Sequence, residues 1–119
     1  MTPITPQSEL LTRLLDATAT RHAVVSQNIA NVNTPHYKRL DVDFEATLAS
    51  TLRSGANPTS AAGEPVIHEE RGLPTRRDGN NVDIDRELGE LGKNSLLHQT
   101  YTELLSTDFD AMRRAIRLR

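Results

Sequence analysis

Cysteine and tryptophan are absent from this 119-residue chain, and only four aromatic side chains occur, Tyr37, Phe44, Tyr101 and Phe109. Without cysteine there are no disulfides, thiolate metal ligands or thiol chemistry, and the compartment stays open because redox conditions have nothing to act on. The shortage of aromatics removes the side chains that usually dominate core energetics. A chain of this length has room for one domain or one extended unit. With 36% hydrophobic residues, its stability is expected from a long narrow seam, from partners, or from both. No run of eighteen apolar residues is present, which excludes a transmembrane helix. The first fifteen residues carry Glu9 and no basic or sustained apolar segment, so they do not read as a secretory signal. A formal net charge of -2 offers no basic excess for nucleic acid. Nor is there a Gly-rich phosphate loop or a nucleophile–base pair, so no enzyme activity, cofactor or small-molecule ligand is expected.

What is present is periodicity. From Ile84 to Ile116, ten positions alternate four-and-three spacing: Ile84, Leu88, Leu91, Ser95, His98, Thr102, Leu105, Phe109, Met112 and Ile116. No proline interrupts them, so the stretch reads as one helix with a coiled-coil seam. Such a seam is roughly 48 Å long, whereas a compact chain of this size has a radius of gyration of about 13–14 Å. The molecule is therefore expected to be elongated. A second seam runs through Leu11, Leu15, Thr18, His22, Val25, Ile29 and Val32. Leu10, Leu14, Ala17 and Val24 widen its apolar face beyond a two-strand seam.

Boundaries follow from capping chemistry. Thr5-Pro6 is an N-cap followed by proline at the first helical position, and Pro35 forces the helix to end near Asn33. Asp41 to Leu52 shows a short helical pattern with a capping aspartate and Phe44, Leu48 and Leu52 four apart. Between Arg53 and Asn81 periodicity is lost among Gly55, Pro58, Gly63, Pro65, Gly72, Pro74 and Gly79. This reads as a mobile linker with Pro65 to His68 as a short strand candidate. Asp83 caps the last helix, whose acidic start (Asp83, Asp85, Glu87, Glu90) and basic end (Arg113, Arg114, Arg117, Arg119) complement its dipole. The expected organisation is residues 1–33 as an N-terminal coiled-coil helix, 34–52 as a turn and short helix, 53–81 as a flexible linker and 82–119 as a C-terminal coiled-coil helix. The fold class is all-α and elongated, with the two long terminal helices paired antiparallel.

Antiparallel pairing brings the polar midpoints of the seams together, Thr18 and His22 against Ser95, His98 and Thr102. Such a layer is expected to fix register. A metal held by the two histidines lacks a third carboxylate, and Asp78 to Glu87 fails as a calcium loop because Val82 and Asp83 stand where an oxygen ligand and a glycine are required. The acids at the start of the last helix are explained by its dipole, and Arg113 to Arg119 by a solvated helix end. Three asparagines in Asn28-Ile29-Ala30-Asn31-Val32-Asn33 resist this treatment, because a left-handed cap accounts for only one.

Asn28-Ile29-Ala30-Asn31-Val32-Asn33-Thr34-Pro35-His36-Tyr37 resembles the turn that ends the N-terminal helix of the bacterial flagellar rod and hook axial proteins. Lys38 to Phe44 and Asp78 to Glu87 resemble the proximal-rod members of that family. His36 stands where the family usually has glycine, and carries a cost if the site needs positive φ. The resemblance implies a structural subunit with Asn28, Ile29, Ala30, Asn31, Thr34, Pro35 and Tyr37 as motif and subunit-contact residues. It also implies synthesis in the cytoplasm, export through the flagellar type III channel without a cleaved signal, and helical self-assembly into the periplasmic rod of the basal body. Its partners are then other rod subunits, a membrane-ring adaptor and the export gate. Phe44 and Leu48 look like the gate-recognition pattern of early export substrates, and equally like a helical packing pair. The rival function is a cytoplasmic coiled-coil adaptor or regulator binding one partner helix. The longer last helix leaves a remainder, with Leu97, Tyr101 and Leu104, for neighbouring subunits to cover.

Overall fold

A computed structural model describes residues 5–56 and 64–118. The expected lead-in at 1–4, the part of the linker at 57–63 with Pro58 and Gly63, and Arg119 lie outside the described residues. In chain order the elements are α1 (Pro6–Ala30), β1 (Leu40–Asp43), α2 (Glu45–Arg53), β2 (Val66–Glu69) and α3 (Ile84–Arg117). The radius of gyration is 18.0 Å and the extents are 67 × 28 × 21 Å, well beyond the roughly 13–14 Å radius of a compact chain of this length. No described helix is long and apolar enough to cross a membrane.

Both long helices start on their side-chain caps. Thr5 Oγ1 accepts from the Ser8 amide at 3.1 Å with Pro6 in the first turn, and Asp83 accepts from the amides of Asp85 and Arg86 at 3.0 and 3.5 Å. The helices run antiparallel. Thr5 meets Asp108, Thr18 meets Asn94, and Asn28 meets Glu87, at 3.2, 2.8 and 3.2 Å.

The face that α3 turns toward α1 is set by polar anchors. Glu87 and Asn94 are its buried residues, and Tyr101 and Asp108 continue the same column half-buried. Leu91, Leu105 and Met112 flank it half-buried, while Leu88, Phe109 and Ile116 stand 53%, 46% and 67% exposed. The apolar seam read from the sequence is thus turned by one column. An ionised carboxylate cannot be left in an apolar setting without partners, and the partners of Glu87 are Asn28 on α1 and Arg39 just before β1, so its placement overrides that of Leu88.

The small core lies between α1 and the start of α2. Phe44, Leu48 and Ala17 are buried together, with Leu10 and Leu14 packed against them, which explains the apolar width of α1. The region expected to be helical from Asp41 divides: Leu40–Asp43 is a strand, and α2 begins after Phe44 with no side-chain cap. The linker also carries structure, since β2 pairs antiparallel with β1 in the register Leu40↔Glu69, Asp41↔His68, Val42↔Ile67 and Asp43↔Val66. Strand pairing gives this backbone partners that an isolated two-turn helix could not hold. Arg21 clips α1 to α2 through two 2.6 Å bonds to Glu45. Burial works to raise the Glu45 pKa, but the Arg21 hydrogen bonds, a backbone hydrogen bond and the charges of Arg21 and Lys93 together outweigh it and hold the carboxyl below its ordinary value. This clip therefore contributes above the unfolded carboxyl pKa and is lost on acidification, and because Glu45 is about half exposed it is worth no more than about 1 kcal/mol.

Phe44 is 1% exposed, so Phe44→Ala should cost about 3–5 kcal/mol in urea denaturation followed by circular dichroism. A loss below about 1 kcal/mol would show that α2 is not anchored through this ring.

Candidate functional site, a buried polar junction between two motifs

Where α1 ends and α3 begins, the 28–37 and 78–87 segments fold onto each other through side-chain amides that take the place of backbone partners. Asn28, fully buried, uses its whole hydrogen-bonding capacity. Its Nδ2 donates to the Leu40 carbonyl at 2.8 Å and to Glu87 Oε2 at 3.2 Å. Its Oδ1 accepts from the Leu40 amide and the Tyr37 hydroxyl, both at 3.0 Å. Leu40 thus receives from one side chain the bond pair a neighbouring strand would supply.

Asn81 bridges the two strands just beyond their last pair, Leu40 and Glu69. Its Oδ1 accepts from the Arg39 amide at 2.6 Å and its Nδ2 donates to the Glu70 carbonyl at 3.0 Å, beside the Glu70 amide to Arg39 carbonyl bond of 2.8 Å. Asn80 serves the helix terminus. Its Nδ2 lies 2.9, 3.2 and 2.9 Å from the carbonyls of Asn31, Val32 and Thr34, while its Oδ1 accepts from the Val82 amide at 2.7 Å. These carbonyls belong to the turn that follows α1, outside its own hydrogen-bond ladder; Arg76 adds a further bond to Val32. Asn31 accepts from Thr34 Oγ1 at 3.0 Å and donates to the Gln27 carbonyl at 2.8 Å, fixing the turn that Pro35 enforces.

At the centre lies an ion pair. Arg39 is 2% exposed and Glu87 is fully buried, and Arg39 Nε bonds Glu87 Oε1. The other side of the guanidinium meets Glu70 directly and Asp41 at 3.4 Å. Burial alone would lower the Arg39 pKa, but the hydrogen bond and charge of Glu87, with Asp41 and Glu70, raise it, so the guanidinium stays charged. Burial, then the charge of Glu87, pushes the Tyr37 phenol above its ordinary pKa of 10.0.

His36 has φ +62°, and Gly79 opposite it has φ +81°. The His36 amide donates to the Asp78 carbonyl at 2.8 Å, and a Cβ on Gly79 would come 2.7 Å from the His36 ring. The left-handed residue of the first motif is thus a histidine lying over a glycine of the other motif.

The remaining sequence-derived residues fall in three places. Leu11 and Val25 are buried, and Leu15 and Ile29 half-buried, along the α1 side of the helix pair. Thr18, His22, Ser95 and His98 line one groove with Ala19 and Asn94. There Thr18 Oγ1, which lies 2.8 Å from the Leu15 carbonyl, is hydrogen-bonded to His98 Nδ1 at 2.8 Å. Thr102 stands outside that groove, bonded to the His98 carbonyl. Among the described residues, no group of three or more His, Cys, Asp or Glu side chains could hold a metal ion. Phe44 and Leu48 belong to the core. Leu97 and Tyr101 are half-buried in a cleft with Arg21, Glu45 and Asn94, while Leu104 is 49% exposed. Asn28, Asn31 and Tyr37 enter the junction; Ala30, Thr34 and Pro35 lie at its surface.

Sequence reasoning missed Arg39, Glu87, Asn80, Asn81 and Asn94. The dipole of α3 explains Glu87 at the level of sequence alone. The surplus of asparagine at both segments was the available signal, since a backbone that lacks helix and sheet partners must find amides elsewhere.

This junction lies within the segments that known proteins share with the chain. A family model described as flagella basal body rod protein matches residues 15–38. The flagellar basal body rod protein FlgB of Borrelia hermsii is 33% identical over 122 residues, covering 87% of this chain and 90% of that protein. The chain belongs to the FlgB family of flagellar basal body rod proteins. FlgB of Cereibacter sphaeroides is 36% identical over 82% of this chain and 84% of its own length, and FlgB of Escherichia coli 31% identical over 82% and 83%. FlgB proteins form a structural family, not an enzyme family, and the junction accordingly offers partners for its own backbone and not a reacting centre.

Two measurements probe the junction. Glu87→Ala leaves Arg39 buried without its partner and should cost about 3–5 kcal/mol. In a Tyr101→Phe background, absorbance titration should place Tyr37 ionisation above pH 10.0, and Glu87→Gln should bring it down. Because the folded pKa is the higher one, this contribution to stability holds below the unfolded value and is lost as pH rises through the folded one. Ionisation at or below the ordinary value would contradict the half-buried position of Tyr37 beside Glu87.

Proposed function

We propose that this chain is a structural subunit of the proximal part of the flagellar rod, exported through the flagellar type III system without a cleaved signal and assembled helically in the periplasmic space. The observation that carries the reading is that the two FlgB-like segments, far apart in sequence, close into one buried junction holding α1 and α3 antiparallel. An elongated pair of helices with a small core suits a subunit whose neighbours supply further buried area. Its partners are other rod subunits, the membrane-ring adaptor below and, during export, the export gate. Phe44 and Leu48 are buried against Leu10, Leu14 and Ala17, so a gate that reads them reads them before α2 packs on α1. The surface residues Ala30, Thr34 and Pro35 are the part of the first motif free for subunit contact.

Deletion of the encoding gene should abolish flagellar assembly, and immunoblots of purified basal bodies from the complemented strain should contain the chain. Normal flagellation in the deletion strain, with the chain confined to the cytosol as a stable small oligomer, would favour the coiled-coil adaptor instead.

A further inference from the structure

The two-stranded sheet is closed on one side only. The Glu70 amide donates to the Arg39 carbonyl at 2.8 Å, and in an antiparallel pair the residues alternate between exchanging bonds with each other and directing them outward. In the observed register the outward residues are therefore Leu40 and Val42 on β1, and Glu69 and Ile67 opposite them on β2. On β1 these groups are occupied. Asn28 bonds both backbone groups of Leu40, at 2.8 and 3.0 Å, Arg21 reaches the Val42 carbonyl at 3.5 Å, and Asp41 accepts from the Val42 amide at 2.9 Å. On β2 the outward amides and carbonyls of Ile67 and Glu69 have no hydrogen-bond partner among the described residues, and the whole strand is exposed.

The two faces at this edge differ in chemistry. Side chains alternate along a strand, and directly paired residues share a face. One face carries Leu40, Val42 and Ile67, with Glu69 at its end; Ile67 is 51% exposed. The other carries Asp41 and Asp43 opposite His68 and Val66, and Glu64 is exposed just before the strand.

We infer that the free edge of β2 takes an extended segment of a partner protein as a third, antiparallel strand, and that this segment alternates apolar and basic side chains. Ile67 and Glu69, about 7 Å apart along the strand, each exchange an amide and a carbonyl bond with one residue of it. Those two residues lie on the face of Ile67 and are apolar, whereas the residue between them lies on the face of Asp41 and Asp43 and is basic. Main-chain bonds supply the affinity and the alternation supplies the choice. Charge selects the occupant, because β2 of a second copy would bring Glu64 and Glu69 against an edge that is already acidic. The contact is additional to the subunit reading and does not depend on it.

The probe is a short, end-capped, fluorescent peptide of alternating lysine and valine, titrated with the full-length protein by anisotropy. It should bind at least about tenfold more tightly than its glutamate-valine counterpart. N-methylation of its valines removes the amides that face β2 and should weaken binding by about tenfold, whereas N-methylation of its lysines should be tolerated. Ile67→Pro removes an outward donor and no bond to β1, so it should weaken binding by about tenfold with unchanged helicity. Ile67→Ala, which keeps the amide, should cost about threefold or less. Asp43→Lys with Glu64→Lys should weaken the lysine-valine peptide about threefold and strengthen the glutamate-valine one. In hydrogen exchange the Ile67 and Glu69 amides should be fast in the free chain and protected by the peptide. Absence of binding, equal binding of the two peptides, or tolerance of valine N-methylation or of Ile67→Pro overturns the inference. So does protection of both amides without peptide, which would mean that a second copy or another segment already holds the edge.

Discussion

A guanidinium and a carboxylate held out of water at one end of a narrow helix pair constrain the rest of this structure. Arg39 is 2% exposed and Glu87 is fully buried. Burying two charges costs several kcal/mol each unless every remaining lone pair and proton finds a partner. The chain meets that demand with Glu70 and Asp41 on the guanidinium and with Asn28 on the second oxygen of Glu87. Once Asn28 is placed there, its amide also closes the free edge of β1 at Leu40, and Asn81 bridges Arg39 and Glu70 just beyond the last strand pair. A two-stranded sheet is marginal in water by itself. Here the Asn28 amide acts as an outer partner of β1, and Asn81 ties the end of the strand pair.

The rotation of α3 is a consequence. Glu87 at one end and Asn94 seven residues on both face α1, and a helix fixed at two points of one column has no freedom to turn its apolar column inward. Asn94 is anchored through Nδ2 to the Thr18 carbonyl at 2.8 Å, while its Oδ1, also buried, has no partner among the described residues. The polar layer is thus costly as well as specifying, in line with polar residues that define register at some expense of stability. Leu88, Phe109 and Ile116 are left outside as a result. An isolated domain gains nothing from exposing them; a subunit with neighbours does.

Much of the fold was legible because it rests on local chemistry. Thr5-Pro6 and Asp83 announce helix starts, Pro35 announces a stop, and heptad spacing announces two long helices and an elongated shape. The strand at Leu40–Asp43 was not legible: Asp41 and the four-residue spacing of Phe44, Leu48 and Leu52 favour a helix, and the decisive partners, Asn28, Asn81 and β2, are distant in sequence. The rotation of α3 was hidden for the same reason, since a glutamate in the first turn of a helix is ordinarily explained by the dipole. The junction was half visible. Its asparagines stood out as surplus, and the resemblance to a flagellar family singled out both segments, but which carbonyl each amide would serve required the tertiary arrangement.

The central claim is that the amides at this junction are held by the tertiary structure and not by local turns. Native-state hydrogen exchange of the isolated chain tests it at the amides of Arg39, Leu40 and Val82, which donate to the side chains of Asn81, Asn28 and Asn80. If the junction sustains the fold, these amides exchange only through global unfolding, as slowly as the buried middle of α1 around Val24 and Val25, and Glu87→Ala accelerates all of them together. Fast exchange of the three amides while the middle of α1 stays protected would contradict the account, because the helix pair would then persist without the junction that is held to set it.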